Sequence, residues 1–212
     1  MKTDDLIVCL AERISPVGPR YVLWPLVLGL LGGMAVSVIV MITWLGLRPD
    51  LSKAIATAPF WIKFIYTLVL LVAGFRIVER QARAGFEAPT ALTVGGVALA
   101  AIIGLAVIQL TTSGTPSHVL IMGHSAKVCT RNIILLSAPV FVGVFLALRQ
   151  LAPTRLTFAG ASAGLLAGAT GAWVYAFHCN ESAIPFLGLW YTLGIGATAF
   201  FGAGLGRWAL RW

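Results

Sequence analysis

The chain has 212 residues, of which 59% are hydrophobic and only 10% charged, with a mean hydropathy of +0.94. A soluble domain carries about 25% charged residues, so this composition excludes a soluble enzyme, a disordered segment and a disulfide-stapled secreted scaffold. The net charge of +8 sits in ones and twos at the ends of apolar runs, which points to oriented membrane helices and away from direct nucleic-acid binding.

The expected fold is all-α, a polytopic membrane protein with a short tail, residues 1–20, ahead of one transmembrane domain, residues 21–212. The first twenty residues lack an apolar core and carry Asp4, Asp5 and Glu12, so no cleavable signal peptide is expected. Thr3 is placed to cap a short helix whose first turn holds Asp4 and Asp5. Leu6, Leu10 and Ile14 follow at spacing four with Ile7 beside them, and Pro16 ends the run. Two to three turns are too short to be stable alone in water, so the apolar stripe needs a partner. The membrane surface and a helix-accepting protein groove are both open at this point.

A hydrocarbon core of about 30 Å needs roughly 20 helical residues, and six segments qualify. The first is Tyr21–Leu47, without charge. The second, Pro59–Val78, has Lys63 near its start, a residue expected to snorkel outward. The third is Ala88–Thr111. The fourth is Asn132–Leu148, or Ser125–Leu148 with an earlier start, the fifth Leu156–Phe177 and the sixth Ile184–Gly206. With both termini in the cytoplasm, ten of the 15 Lys and Arg fall inside and five outside, and this is the orientation expected. Small residues at spacing four, such as Gly29 and Gly33, Gly96, Ala100 and Gly104, Gly160, Gly164 and Gly168, and Gly202 and Gly206, predict close helix packing.

Span interiors without Asp, Glu, Lys or Arg argue against a pump or proton-coupled transporter, and no catalytic motif is present. The chemistry lies at span ends, in Met122-Gly-His124-Ser-Ala-Lys127-Val-Cys129-Thr-Arg131 and in Phe177-His178-Cys179-Asn-Glu181. The intervening spans form a hairpin. Its arms rise about 30 and 36 Å from the short turn at Arg149–Arg155, so Cys129 and Cys179 return to nearly one level. Cys129, in the first turn of a helix near Lys127 and Arg131, has reason to favour the thiolate. His124 and His178 add imidazoles, so inert packing, a redox pair and a soft-metal site of two Cys and two His all remain open. His118 and the Asn180-Glu-Ser182 sequon carry no weight, and Cys9 lies on the opposite side and cannot join the pair.

Several segments together resemble one family. They are Met1-Lys-Thr-Asp-Asp-Leu-Ile7, Gly46-Leu-Arg-Pro-Asp50, Gly123-His-Ser125 with Cys129, Ala152-Pro-Thr-Arg155, His178-Cys179 and Trp190-Tyr-Thr-Leu-Gly194. The chain is similar over its length to the NrsF-like six-helix membrane proteins, anti-sigma factors for extracytoplasmic-function sigma factors. The resemblance implies a bacterial inner-membrane, multi-pass protein without catalysis or cofactor. Its partners would be such a sigma factor and membrane lipids. It implies that Cys129 and Cys179 sense an external stress, an oxidant or heavy metal, with His124 and His178 as auxiliaries. It also turns the tail residues Thr3, Asp4, Asp5, Leu6, Ile7, Leu10 and Ile14 towards sigma binding, aided by the loop of Arg76, Glu79, Arg80, Arg83 and Glu87. The competing readings are a membrane thiol–disulfide oxidoreductase, against which the lack of a CxxC counts, and a small-solute or metal transporter.

Overall fold

A computed structural model describes residues 19–83 and 88–211. The tail residues Thr3 to Ile14, Glu87 and Trp212 lie outside the described residues. All regular structure among the described residues is helical, as expected for long apolar runs whose backbone polar groups must be satisfied within the segment.

Helix α1 is Pro19–Val40 and continues as a π-helical turn, Met41–Leu45. A single turn, α2 (Leu51–Ala54), precedes α3 (Ala58–Gln81), which opens on Pro59, a residue that fits the first helical turn. Next come α4 (Pro89–Thr112), the short α5 (Ser117–Met122) and α6 (Ala126–Leu151). After a tight turn through Ala152, α7 (Leu156–Tyr175) runs back beside α6. Three residues of α8 (Ile184–Phe186) lead through a second π-helical turn, Leu187–Tyr191, into α9 (Thr192–Ala209).

Five helical stretches are long and apolar enough to cross a membrane: Arg20–Leu45, Ala58–Gln81, Pro89–Thr112, Ser117–Leu151 and Ile184–Ala209. They match five of the six expected spans. Where the remaining one was expected stands a 20-residue helix, α7, which falls short of that measure of apolar length. Its run of glycine and alanine leaves it less apolar than the others.

Helix α7 is the centre of the bundle. Fourteen of its 20 residues are buried, and it packs on α9, α6 and α3. A Cβ at Gly160, Gly164 or Gly168 would collide with the α9 backbone or side chains at Gly202, Thr198 and Ile195. On the other side of the bundle, Gly29 and Gly33 of α1 abut Gly143 and Val140 of α6. The spacing-four pattern thus marks real helix seams at these positions. It does not at Gly96 and Gly104, which face open space on α4, a peripheral helix with Ile102 as its one buried residue.

Candidate functional site

The loop between α1 and α2 begins the site. Arg48 and Asp50 form a two-point ion pair, with Nε to Oδ1 and Nη2 to Oδ2 both at 2.8 Å. Each ion holds the other in its charged form: the hydrogen bond from Arg48 lowers the Asp50 carboxyl below its ordinary value, and Asp50 raises Arg48. The guanidinium is buried, and its Nη1 donates to the Cys179 carbonyl at 3.2 Å, while the Arg48 amide donates to the Phe177 carbonyl at 3.2 Å. His178 Nδ1 lies 2.9 Å from the Gly46 carbonyl. The loop is therefore laced onto the segment that follows α7.

From the other side comes Lys63 of α3, and here the sequence expectation is corrected. Lys63 does not snorkel outward; it is 3% exposed and turns into the bundle. Its Nζ donates to the carbonyls of Cys179 at 3.1 Å and Glu181 at 2.7 Å, and stands 5.6 Å from the centre of the Tyr191 ring. The reason is local: the chain after α7 leaves its carbonyls without helical partners, and an inward ammonium satisfies two of them.

Glu181, which no motif singles out, ties the same segment to α6. Its Oε1 accepts the amides of His124 at 2.7 Å and Ser125 at 3.0 Å, and the Ser125 hydroxyl at 3.2 Å. A carboxylate at this place complements the N-terminus of α6. Gly123 has φ +48, a left-handed value that favours glycine, and it lies against the Glu181 carboxylate.

Cys129 and Cys179 meet inside this frame. Both are buried and neither is in a disulfide. The Cys129 thiol donates to the Cys179 sulfur. This corrects the expectation about which cysteine is activated. Lys127 and Arg131 are exposed, away from the buried Cys129 side chain. The cation that acts on the pair is Lys63, and the sulfur it favours as thiolate is Cys179. Donation from Cys129, then Lys63 and Tyr191, holds the Cys179 thiol below its ordinary value against the opposing effect of burial. The Tyr191 hydroxyl, fully buried on the last residue of a π-helical turn, has no oxygen or nitrogen partner among the described residues. Such turns recur at functional sites.

The auxiliary histidines do not join the thiols as ligands. His124 is exposed, and His178 is held by the Gly46 carbonyl and the Tyr175 ring, 5.5 Å between centroids. Among the described residues no three His, Cys, Asp or Glu side chains are grouped to hold a metal ion. The four-ligand alternative is thus not the arrangement found.

A family profile, negative regulator of sigma F, matches residues 10–212. The chain belongs to the NrsF family. It is 39% identical over its whole length to the full-length anti-sigma-F factor NrsF of Caulobacter vibrioides (strain NA1000 / CB15N). It is 36% identical, again over the whole of both chains, to the probable anti-sigma-F factor NrsF of Azospira oryzae (strain ATCC BAA-33 / DSM 13638 / PS). No solved structure matches it. The NrsF profile takes in the thiol pair, Lys63, Arg48 and Glu181, together with Leu10 and Ile14, and begins after Thr3–Ile7.

Proposed function

We propose that this protein is a membrane-embedded anti-sigma factor that holds an extracytoplasmic-function sigma factor at the cytoplasmic face and releases it when Cys129 and Cys179 are oxidised from outside. The anti-sigma role is supported by full-length similarity to proteins named for it. The sensing role rests on one observation: free thiols from separate segments, fifty residues apart in sequence, in direct contact beside a buried ammonium. A neighbouring thiolate and thiol is the arrangement that oxidants convert to a disulfide.

In this reading α7 is the fifth of six spans. Its 20 residues rise about 30 Å, enough to cross the hydrocarbon core, and its weak apolarity is offset by neighbours that cover it. Both termini are then cytoplasmic and the thiol end faces outward in the bacterial inner membrane. The tail, with Thr3, Asp4, Asp5, Leu6, Ile7, Leu10 and Ile14, docks on the sigma factor, and the apolar faces of the remaining helices meet lipid. Glu79, bonded to Arg83 at 3.0 Å and Arg76 at 3.4 Å, keeps the end of α3 in order. Among stress signals an oxidant has more support than a heavy metal, since the two thiols are in contact and no third ligand is grouped with them among the described residues. The oxidoreductase alternative requires a protein substrate to reach Cys179, which is 2% exposed.

The test is retention of the sigma factor by the full-length protein in lipid nanodiscs, reduced and then treated with hydrogen peroxide. Release on oxidation, abolished by Cys129→Ser with Cys179→Ser, is expected. Equal retention in both states, or release by the double variant, overturns the sensing role.

A further inference from the structure

Around the thiols, the charges facing one another are Lys63 from α3, Arg48 and Asp50 from the α1–α2 loop, and Glu181 after α7. The neighbouring titratable side chains are Tyr175 and His178 at the end of α7, Tyr191 before α9 and Cys129 on α6. Arg48 is matched by Asp50 on two hydrogen bonds. The Glu181 carboxylate is engaged by the amides of residues 124 and 125. That leaves Lys63, 3% exposed, with carbonyls and a ring for company and no carboxylate within 4 Å among the described residues. A buried cation without a counter-charge is costly. The candidate anion beside it is a sulfur.

We infer that Lys63 is the positioning residue of the sensor: its ammonium is neutralised by a Cys179 thiolate, and oxidation of the thiol pair strands it. This rests on the redox reading above. In the resting state Cys129 and Tyr191 donate to the Cys179 sulfur, which gives the Tyr191 hydroxyl its use. A hydroperoxide supplies the oxidising equivalents. The Cys179 thiolate attacks one peroxide oxygen; the O–O bond breaks, an S–O bond forms, and the second oxygen leaves as hydroxide or alkoxide, carrying the negative charge away. The Cys129 sulfur then attacks Cys179; the S–S bond forms, the S–O bond breaks, and water departs with the thiol proton. Two electrons have passed from the sulfurs to the peroxide. The site has lost its anion, and Lys63 faces only carbonyls. The ammonium then moves towards water or sheds its proton, and either breaks its bonds to Cys179 and Glu181. Those carbonyls belong to the segment that fastens α7 to α6, so the chemistry reaches the helix at the centre of the bundle.

The experiment uses the full-length protein with its sigma factor in nanodiscs, with iodoacetamide as the probe and Cys179 alkylation followed by mass spectrometry. In the wild type the rate changes less than about threefold between pH 6 and pH 8, because the thiolate already predominates. In Lys63→Met it climbs about tenfold per pH unit, as for an ordinary thiol. Lys63→Arg restores the flat profile, which a merely space-filling lysine does not require. Lys63→Met driven to the disulfide with excess hydrogen peroxide keeps its sigma factor, whereas the oxidised wild type lets go. A wild-type rate that itself rises about a hundredfold from pH 6 to pH 8 overturns the inference even if Lys63→Met never reaches the membrane. Release by the double cysteine variant instead defeats the redox reading while leaving the alkylation profile to stand.

Discussion

Glu181 shows how much of this site depends on one carboxylate oxygen. It receives three hydrogen bonds from the turn entering α6, and its backbone carbonyl receives Lys63. Glu181→Ala should lower the unfolding free energy by about 1–3 kcal/mol, since three hydrogen bonds to a charged acceptor are lost. Glu181→Gln should cost less because one acceptor oxygen remains. Thermal unfolding in nanodiscs measures both, and equal stability of the alanine variant would refute the cap. The Arg48–Asp50 pair carries a pH expectation. The folded Asp50 carboxyl titrates below its unfolded value, so the contribution is complete above the ordinary carboxylate value of about 3.9 and disappears as pH falls through the lowered folded value. Protection of the amides of residues 46–50 from hydrogen exchange should persist at pH 5 in the wild type and be weaker there already in Asp50→Asn, which has no carboxylate to pair. The spacing of apolar runs made Cys129 and Cys179 meet on paper because helical rise is a fixed length per residue. Glu181 and Lys63 stayed illegible because their importance depends on which carbonyls and amides the neighbouring chain leaves unsatisfied. Lys63 in the second turn of a span was the one visible signal.

At the scale of elements, the same small-residue spacing has two outcomes. On α7 it is a seam, where Gly164 lies against Thr198 and Ala199 of α9; on α4, Gly104 has nothing within reach. Gly164→Val should therefore prevent a native bundle, because a side chain pressed against backbone cannot be relieved by a rotamer change. Overpacking costs typically about 1–3 kcal/mol, and more where backbone must shift. Gly104→Val should be tolerated. Membrane accumulation and protease resistance of the two variants distinguish seam from open face; equal behaviour would mean the α7–α9 contact is not the one described. Local spacing makes a helix capable of close approach, and whether a partner arrives is decided by the rest of the chain. The helices themselves were legible to within a few residues because apolar length sets them. The π-helical turns at Met41–Leu45 and Leu187–Tyr191 were not, since no residue pattern announces an extra residue in a turn.

For the whole molecule, the proposal links two ends of the bundle through α7. Chemistry at Cys179 loosens the segment after α7, and α7 is fastened along its length to α9 and at its far end to α3, where Gln81 donates to Ser162 at 2.8 Å. A signal shifts an equilibrium only as far as it favours one state over the other, so the sigma-binding face must be weaker in the oxidised arrangement. On this proposal the tail is the part of that face readable from sequence. Burying Leu6, Ile7, Leu10 and Ile14 in a groove is worth roughly 1.5–3 kcal/mol per side chain before ordering costs. A charge in the stripe should then uncouple the sigma factor without touching the sensor. Leu10→Asp is expected to switch the sigma factor's genes on in unstressed cells, while the protein still accumulates in the membrane and its thiols still oxidise. Reporter expression with and without peroxide reads the first; a gel shift of the alkylated, non-reduced protein reads the second. Wild-type repression by Leu10→Asp, or sigma binding that survives deletion of residues 1–15, would move the docking surface away from the tail and onto the loop beyond α3.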